Sequence, residues 1–87
     1  MRIKLRQLES FLAVCKYMHF TEAAASLSFT QPALSYEIAQ LEKAVGVKLI
    51  ERAAGRKFWI TERGEEFAKR AAWIVNAAID LEKGKGF

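Results

Sequence analysis

The chain has 87 residues, of which 52% are apolar and one is proline, and fourteen Lys and Arg against ten Asp and Glu give a formal net charge of +4. This composition excludes a disordered or collagen-like chain and favours an all-helical domain. Because so small a domain buries only a modest fraction of its surface, we expect a second copy to stabilise it. The positive charge is compatible with a polyanionic partner but does not establish one.

Apolar residues spaced three and four apart predict a first helix from Leu5. They are Leu8, Phe11, Leu12, Cys15 and Met18. We expect both Cys15 and Met18 to lie in the core. After a break at YMHF, Thr21 is predicted to be the N-cap of a short second helix, TEAAASLS. The alanines at 23–25 allow a neighbouring helix to approach closely.

A turn-length segment, LSFT, leads into a third helix. Thr30 is placed to cap it, and Pro32 is tolerated in a first helical turn because its missing N–H would have no intrahelical partner. The helix is predicted to run from about Gln31 to about Val45, where Gly46 allows a left-handed stop. One narrow arc of it is apolar and is assigned to the core: Leu34, Ile38, Leu41 and Val45.

The opposite arc of the third helix is small, polar and nearly free of carboxylates. It contains Pro32, Tyr36, Ala39 and Lys43, flanked by Ser35 and Gln40. Glu37 and Glu42 fall towards its sides. A short helix, a tight turn and a helix with such a face are the arrangement of a helix-turn-helix, whose second helix enters the DNA major groove.

Beyond Gly46 the apolar period changes to two. Val47 and Leu49, then Phe58 and Ile60, alternate around AAGR and predict a small hairpin, from which Trp59 points outwards. Thr61 is predicted to cap a last, long helix. Its apolar residues recur in a heptad-like seam that predicts dimerisation: Phe67, Ala71, Ile74, Ala78 and Leu81.

The stretch FTEAAASLSFTQPALSYEIAQLEKAVGVKLIER, followed by FWIT and ERG, resembles the amino-terminal domain of LysR-type transcriptional regulators over about Leu5 to Glu82. The resemblance implies a mainly α fold: a winged helix-turn-helix with a small β-hairpin wing and a long C-terminal linker (dimerisation) helix. It implies a bacterial DNA-binding regulator in which the helix from Gln31 is the recognition helix and ERAAGRKF is the wing. Because its single cysteine cannot form a disulfide within the chain, we expect a reduced, cytoplasmic protein, associated with the nucleoid. The chain departs from the family pattern at two places. The two positions after Ser35 often carry Arg and Gln-like residues in the family and are Tyr36 and Glu37 here, and Arg63 stands where the family usually has a small residue.

The expected organisation is a DNA-binding domain over 1–60, the linker helix over 61–83, and over 84–87 a tail or the start of a linker to an effector-binding domain that is absent from this chain. Expected partners are double-stranded DNA and a second copy bound through the linker helix, with a tetramer as a candidate state of the full-length regulator. No cofactor and no membrane partner are expected.

The candidate DNA contacts combine readers of bases with cations for the backbone. Gln31 has an amide that pairs with adenine, and Ser35 and Tyr36 could approach base edges or phosphates. Wing cations could reach phosphates or a narrow minor groove. The full set is Thr21, Thr30, Gln31, Pro32, Ser35, Tyr36, Arg52, Arg56 and Lys57. For each of them the alternative is an ordinary solvated or capping residue.

Other classes of function fit the sequence less well. One cysteine, Cys15, and one histidine, His19, allow no standard metal site, and the chain lacks the pairing of nucleophile and base that an enzyme needs. A small helical protein-interaction domain remains the main alternative. A membrane-surface helix bundle is a third, although the basic residues concentrate around the hairpin and the start of the last helix instead of along one amphipathic helix.

Overall fold

A computed structural model describes all residues from 1 to 87 as four helices and one two-stranded antiparallel sheet. The elements in chain order are α1 (Leu5–Tyr17), α2 (Phe20–Ser26), α3 (Gln31–Val45), β1 (Ile50–Arg52), β2 (Phe58–Ile60) and α4 (Glu62–Glu82). This architecture confirms the predicted mainly α fold with a hairpin wing and a long C-terminal helix. None of the helices combines the length and the apolar character needed to cross a membrane.

The break between α1 and α2 differs from the prediction. Met18 adopts a left-handed conformation (φ 50°) as the C-cap of α1, which turns its side chain out to solvent and not into the core. Thr21 is not the N-cap of α2. His19 takes that place, because it is extended and its ring Nδ1 accepts a hydrogen bond from the Glu22 backbone N–H at 3.2 Å. Thr21 lies inside the first turn of α2, with an exposed side chain.

The boundaries of α3 follow the local rules. Thr30 Oγ1 accepts a hydrogen bond from the Ala33 N–H at 3.2 Å, Pro32 lies in the first turn, and Gly46 ends the helix with φ 71°. The sequence predicted the cap, the position of the proline and the glycine stop, and the structure confirms all three. The core arc is also confirmed for its three completely buried members, Leu34, Ile38 and Leu41, whereas Val45 is half-buried at the helix end.

The hairpin pairs Ile50 with Ile60 and Arg52 with Phe58. Its first strand begins later than the alternation from Val47 predicted. At this point the chain is bonded to α3 instead: the N–H groups of Leu49 and of Ile50, the first residue of β1, donate to the Glu42 carboxylate at 2.7 and 3.1 Å. Glu42 therefore attaches the wing to the recognition helix.

The start of α4 is attached to the same point of the chain. Thr61 caps the helix, as predicted, by accepting the Gly64 N–H at 2.9 Å, and the Thr61 N–H donates to the Leu49 carbonyl at 3.0 Å. A Cβ on Gly64 would collide with that carbonyl and would come within 2.9 Å of the Ile60 side chain. Only glycine allows this close approach of helix to strand.

One core joins the helices. Twelve buried apolar residues from α1 to α4 form it, and the rings of Phe11 and Phe67 meet edge to face at 5.7 Å between centroids, which fixes the first half of α4 on α1. The second half of α4 extends away, and the molecule measures 47 × 26 × 20 Å. The helix thus leaves the core with part of its length uncovered.

The role of Glu42 leads to a stability prediction. Glu42→Ala would leave the N–H groups of Leu49 and Ile50 without their acceptor, and each such buried donor costs about 1–3 kcal/mol. Glu42→Gln keeps one acceptor oxygen and should recover part of the loss. Urea unfolding of both variants checks this, with Arg70→Ala on the exposed face of α4 as the control. Equal stability of Glu42→Ala and the parent would contradict the role assigned to Glu42.

Candidate nucleic-acid interface

The outer face of α3 is open to solvent along its length. Gln31, Pro32, Tyr36, Ala39 and Lys43 are all exposed, and Tyr36 is 62% exposed although it is a large aromatic side chain. The cap geometry at Thr30 fixes the direction in which this face points. The face offers an amide, a phenol and one cation, and it carries no carboxylate.

Both acidic residues of α3 are occupied elsewhere. Glu42 accepts the two backbone N–H groups at the start of the wing. Glu37 bonds Arg6 of α1, with 2.9 Å between Oε2 and the guanidinium Nε. Their negative charges are therefore withdrawn from the outer face, where they would repel a polyanion.

Ser35 is placed differently from the other predicted readers. Its hydroxyl oxygen is buried and has no hydrogen-bond partner in the protein. Rotation about the Cα–Cβ bond is needed before this hydroxyl can meet a base edge or a phosphate. Thr30 and Pro32 are exposed at the amino end of the helix, next to Gln31.

A groove of about 430 Å³ separates the wing from the amino ends of α2 and α3. It brings together five of the predicted contact residues from three parts of the chain: Thr21, Gln31, Arg52, Arg56 and Lys57. None of its three cations forms an ion pair within the chain. The groove is therefore a concentration of positive charge directly beside the start of α3.

Aromatic rings hold one of these cations in place. The Arg52 guanidinium lies 4.3 Å from the centroid of the Phe20 ring, and Phe20 in turn meets Phe58 edge to face at 4.9 Å. Sequence reasoning did not identify Phe20 or Phe58 as a support, because they are 38 positions apart and only the fold joins them. At the wing tip Gly55 and Arg56 both have positive φ, 73° and 64°, in the tight turn that presents the Arg56 side chain.

The predicted dimer seam is divided between two environments. Phe67 and Ala71 pack into the core of this chain, whereas Ile74 and Leu81 are exposed and Ala78 is half-buried. Trp73 and Ile79, which the seam did not include, are also exposed, and Trp73 reaches 78%. Heptad spacing could not separate these groups, because it does not show where the helix leaves the core.

Potential catalytic and metal-binding groups are scattered. Burial, with a smaller effect from Glu65, raises the pKa of the Cys15 thiol to about 11, so that the thiol stays protonated and weakly nucleophilic at neutral pH. No three His, Cys, Asp or Glu side chains come together as potential metal ligands.

Solved structures with the same fold include DNA complexes. The BenM DNA-binding domain in its complex with catB site 1 DNA has 33% sequence identity and a TM-score of 0.84, covering 93% of this chain and 86% of that chain. The CbnR DNA-binding domain in its DNA complex has 31% identity and a TM-score of 0.85, covering 93% and 92%. No curated protein sequence matches the chain.

A longer protein also contains this fold. The oxidised form of OxyR from Corynebacterium glutamicum has 36% identity and a TM-score of 0.90, covering 100% of this chain but 28% of that one. The family model for the bacterial regulatory helix-turn-helix protein, lysR family, matches residues 5–65. With the helix-turn-helix, the wing and the long last helix all in place, the chain belongs to the LysR family of bacterial transcriptional regulators, of which it is the helix-turn-helix DNA-binding domain.

Proposed function

We propose that this domain binds DNA sequence-specifically, with α3 in the major groove and the wing on the backbone or in the minor groove. The single observation that carries the proposal is the junction of two surfaces: a carboxylate-free face on α3 and a groove with three unpaired cations at its amino end. The DNA complexes of the BenM and CbnR domains support it. Nothing in the arrangement resembles a catalytic site, and we propose no enzymatic activity.

We also propose that two copies bind together through the linker helix, which we assign to 61–83, with the DNA-binding domain over 1–60 and 84–87 as the tail. The support is that two apolar side chains of the predicted seam, Ile74 and Leu81, are exposed on the same side of α4. A two-fold dimer would read an inverted repeat with half-sites about one helical turn of DNA apart, or a multiple. We further propose that the protein acts in the cytoplasm and that this domain is part of a larger, tetrameric regulator with an effector-binding domain.

The second candidate, a protein-interaction domain, is favoured by the exposure of Trp73. Titration with a DNA fragment at two salt concentrations separates the two. Binding through phosphates weakens linearly in log[salt], because each contact releases condensed counterions. A DNA affinity that does not change with salt would favour the interaction domain.

Replacement of Gln31 by Ala should remove discrimination at one or two base pairs in each half-site. The expected loss is about 1–3 kcal/mol for a good bidentate contact, with little change in non-specific binding. Selection from a random DNA pool followed by footprinting measures this. Asn76→Ala, which removes an exposed amide from α4 instead of α3, is the control, and unchanged base preferences in Gln31→Ala would contradict base reading by this residue.

Replacement of Arg56 by Ala should lower the affinity for all DNA sequences by the same factor, because phosphates are the same at every site. The slope of log affinity against log[salt] should fall by about one unit. Lys85→Ala removes the same charge beyond the far end of α4 and should leave the slope unchanged. A shift in the preferred sequence of Arg56→Ala, with the slope kept, would instead indicate a base contact.

Replacement of Ile74 by Glu should convert a dimer to a monomer with weaker operator binding, because the interface would bury a charge without a partner. Sedimentation velocity gives the mass, and the operator affinity is measured on the same samples. Asn76→Glu makes the same change in charge on the opposite side of α4 and should stay dimeric. Identical masses for Ile74→Glu and the parent would exclude dimerisation through this seam.

A further inference from the structure

The recognition helix carries an acidic residue directly beside its proposed reading face. Glu37 follows Tyr36 and lies about 100° around the helix from it, towards α1. A mobile carboxylate at this place could turn towards a phosphate and repel it, or accept a hydrogen bond from a cytosine amino group. The helix therefore needs a means of fixing this side chain if its reading face is to stay free of negative charge.

Arg6, in the first turn of α1, provides that means. Its Nε lies 2.9 Å from Glu37 Oε2, a charge-assisted hydrogen bond. The Glu37 side chain is only 15% exposed, whereas that of Arg6 is 57% exposed, so the cation covers the carboxylate on the solvent side. The guanidinium also lies 4.4 Å from the centroid of the Phe29 ring in the turn before α3. Arg6 is thus held both by the turn of the helix-turn-helix and by its second helix, α3.

The other carboxylate of the recognition helix is fixed in an equivalent way. Glu42 accepts the N–H groups of Leu49 and Ile50, so neither acidic residue of α3 has a free carboxylate. Lys43 is left as the one unpaired charge on the helix. A partly exposed ion pair such as Arg6–Glu37 adds little to folding stability. Its larger effect is therefore expected where a polyanion docks.

We infer that Arg6 is a positioning residue for DNA recognition: it holds the Glu37 carboxylate on the α1 side of α3 and neutralises it, so that the face with Gln31 and Tyr36 meets DNA without a competing negative charge. This inference rests on the proposed DNA-binding function. It predicts that the effect of removing Arg6 depends on the presence of Glu37, since the arginine acts through that carboxylate and not through its own contact with DNA.

A double-mutant cycle on DNA binding tests this dependence. Parent, Arg6→Ala, Glu37→Gln and the double variant are titrated with the sequence that the parent selects from a random pool. Arg6→Ala should lower the affinity about tenfold at low salt, with a smaller loss at high salt because the repulsion is screened. Glu37→Gln should bind within about twofold of the parent, and adding Arg6→Ala to it should cost no more than another twofold.

Three controls and a second measurement keep the result specific. Lys16→Ala removes one cation from the other end of α1, where its ammonium lies 5.3 Å from the Tyr17 ring centroid, and should not reproduce the loss. Thermal melting shows whether the variants are folded. Arg6→Lys keeps the positive charge and should recover much of the affinity that Arg6→Ala loses. Base preferences of Arg6→Ala are selected in parallel, and a new preference for cytosine would show the released carboxylate in the groove.

The possible outcomes distinguish a failure of this inference from a failure of the proposed DNA-binding function. An equal loss from Arg6→Ala in the presence and absence of Glu37 would show that Arg6 is itself a phosphate contact and would overturn the inference, while DNA binding by the parent would still stand. No salt-dependent DNA binding by the parent would overturn both. A loss that disappears in the Glu37→Gln background is the result expected.

Discussion

The fold depends on one stretch of backbone at Leu49, where three elements are joined. The Leu49 N–H donates to Glu42 of α3, its carbonyl accepts from Thr61 at the start of α4, and its side chain is completely buried. Gly64 can lie against that carbonyl because it has no Cβ. The wing cannot move relative to the recognition helix, nor α4 change direction, without breaking these bonds, so one junction sets the spacing of the whole proposed DNA surface.

The proposed interface works by the placement of charge more than by its amount. A net charge of +4 is modest, but the three groove cations are left unpaired while both carboxylates of α3 are bonded within the chain. Phe20 holds the Arg52 guanidinium in position, which lowers the conformational entropy that the arginine would lose on binding. The positive groove and the neutral helix face then have separate functions, one on the backbone and one on the bases.

The last helix combines two roles along its length. Its first half completes the core through Phe67 and Ala71, and its second half presents Ile74 and Leu81 to solvent. A free helix end with this much apolar surface is poorly stabilised by itself, because most helical stability in proteins comes from packing. This is the physical argument for a second copy, and it joins the proposed dimer directly to the core of each domain.

The sequence by itself determined what local chemistry controls. The caps at Thr30 and Thr61, the stop at Gly46 and the outer face of α3 follow from side chains within one or two helical turns, and all could be predicted. Tertiary structure decided what depends on residues far apart in the chain: the late start of β1, the burial of the Ser35 hydroxyl, the division of the α4 seam, and the pairing of Arg6 with Glu37 across 31 positions. The cap of α2 is the exception, because it is local and was still predicted at the wrong residue: Met18 ends α1 in a left-handed conformation, and the extended residue after it, His19, accepts the Glu22 N–H in place of Thr21.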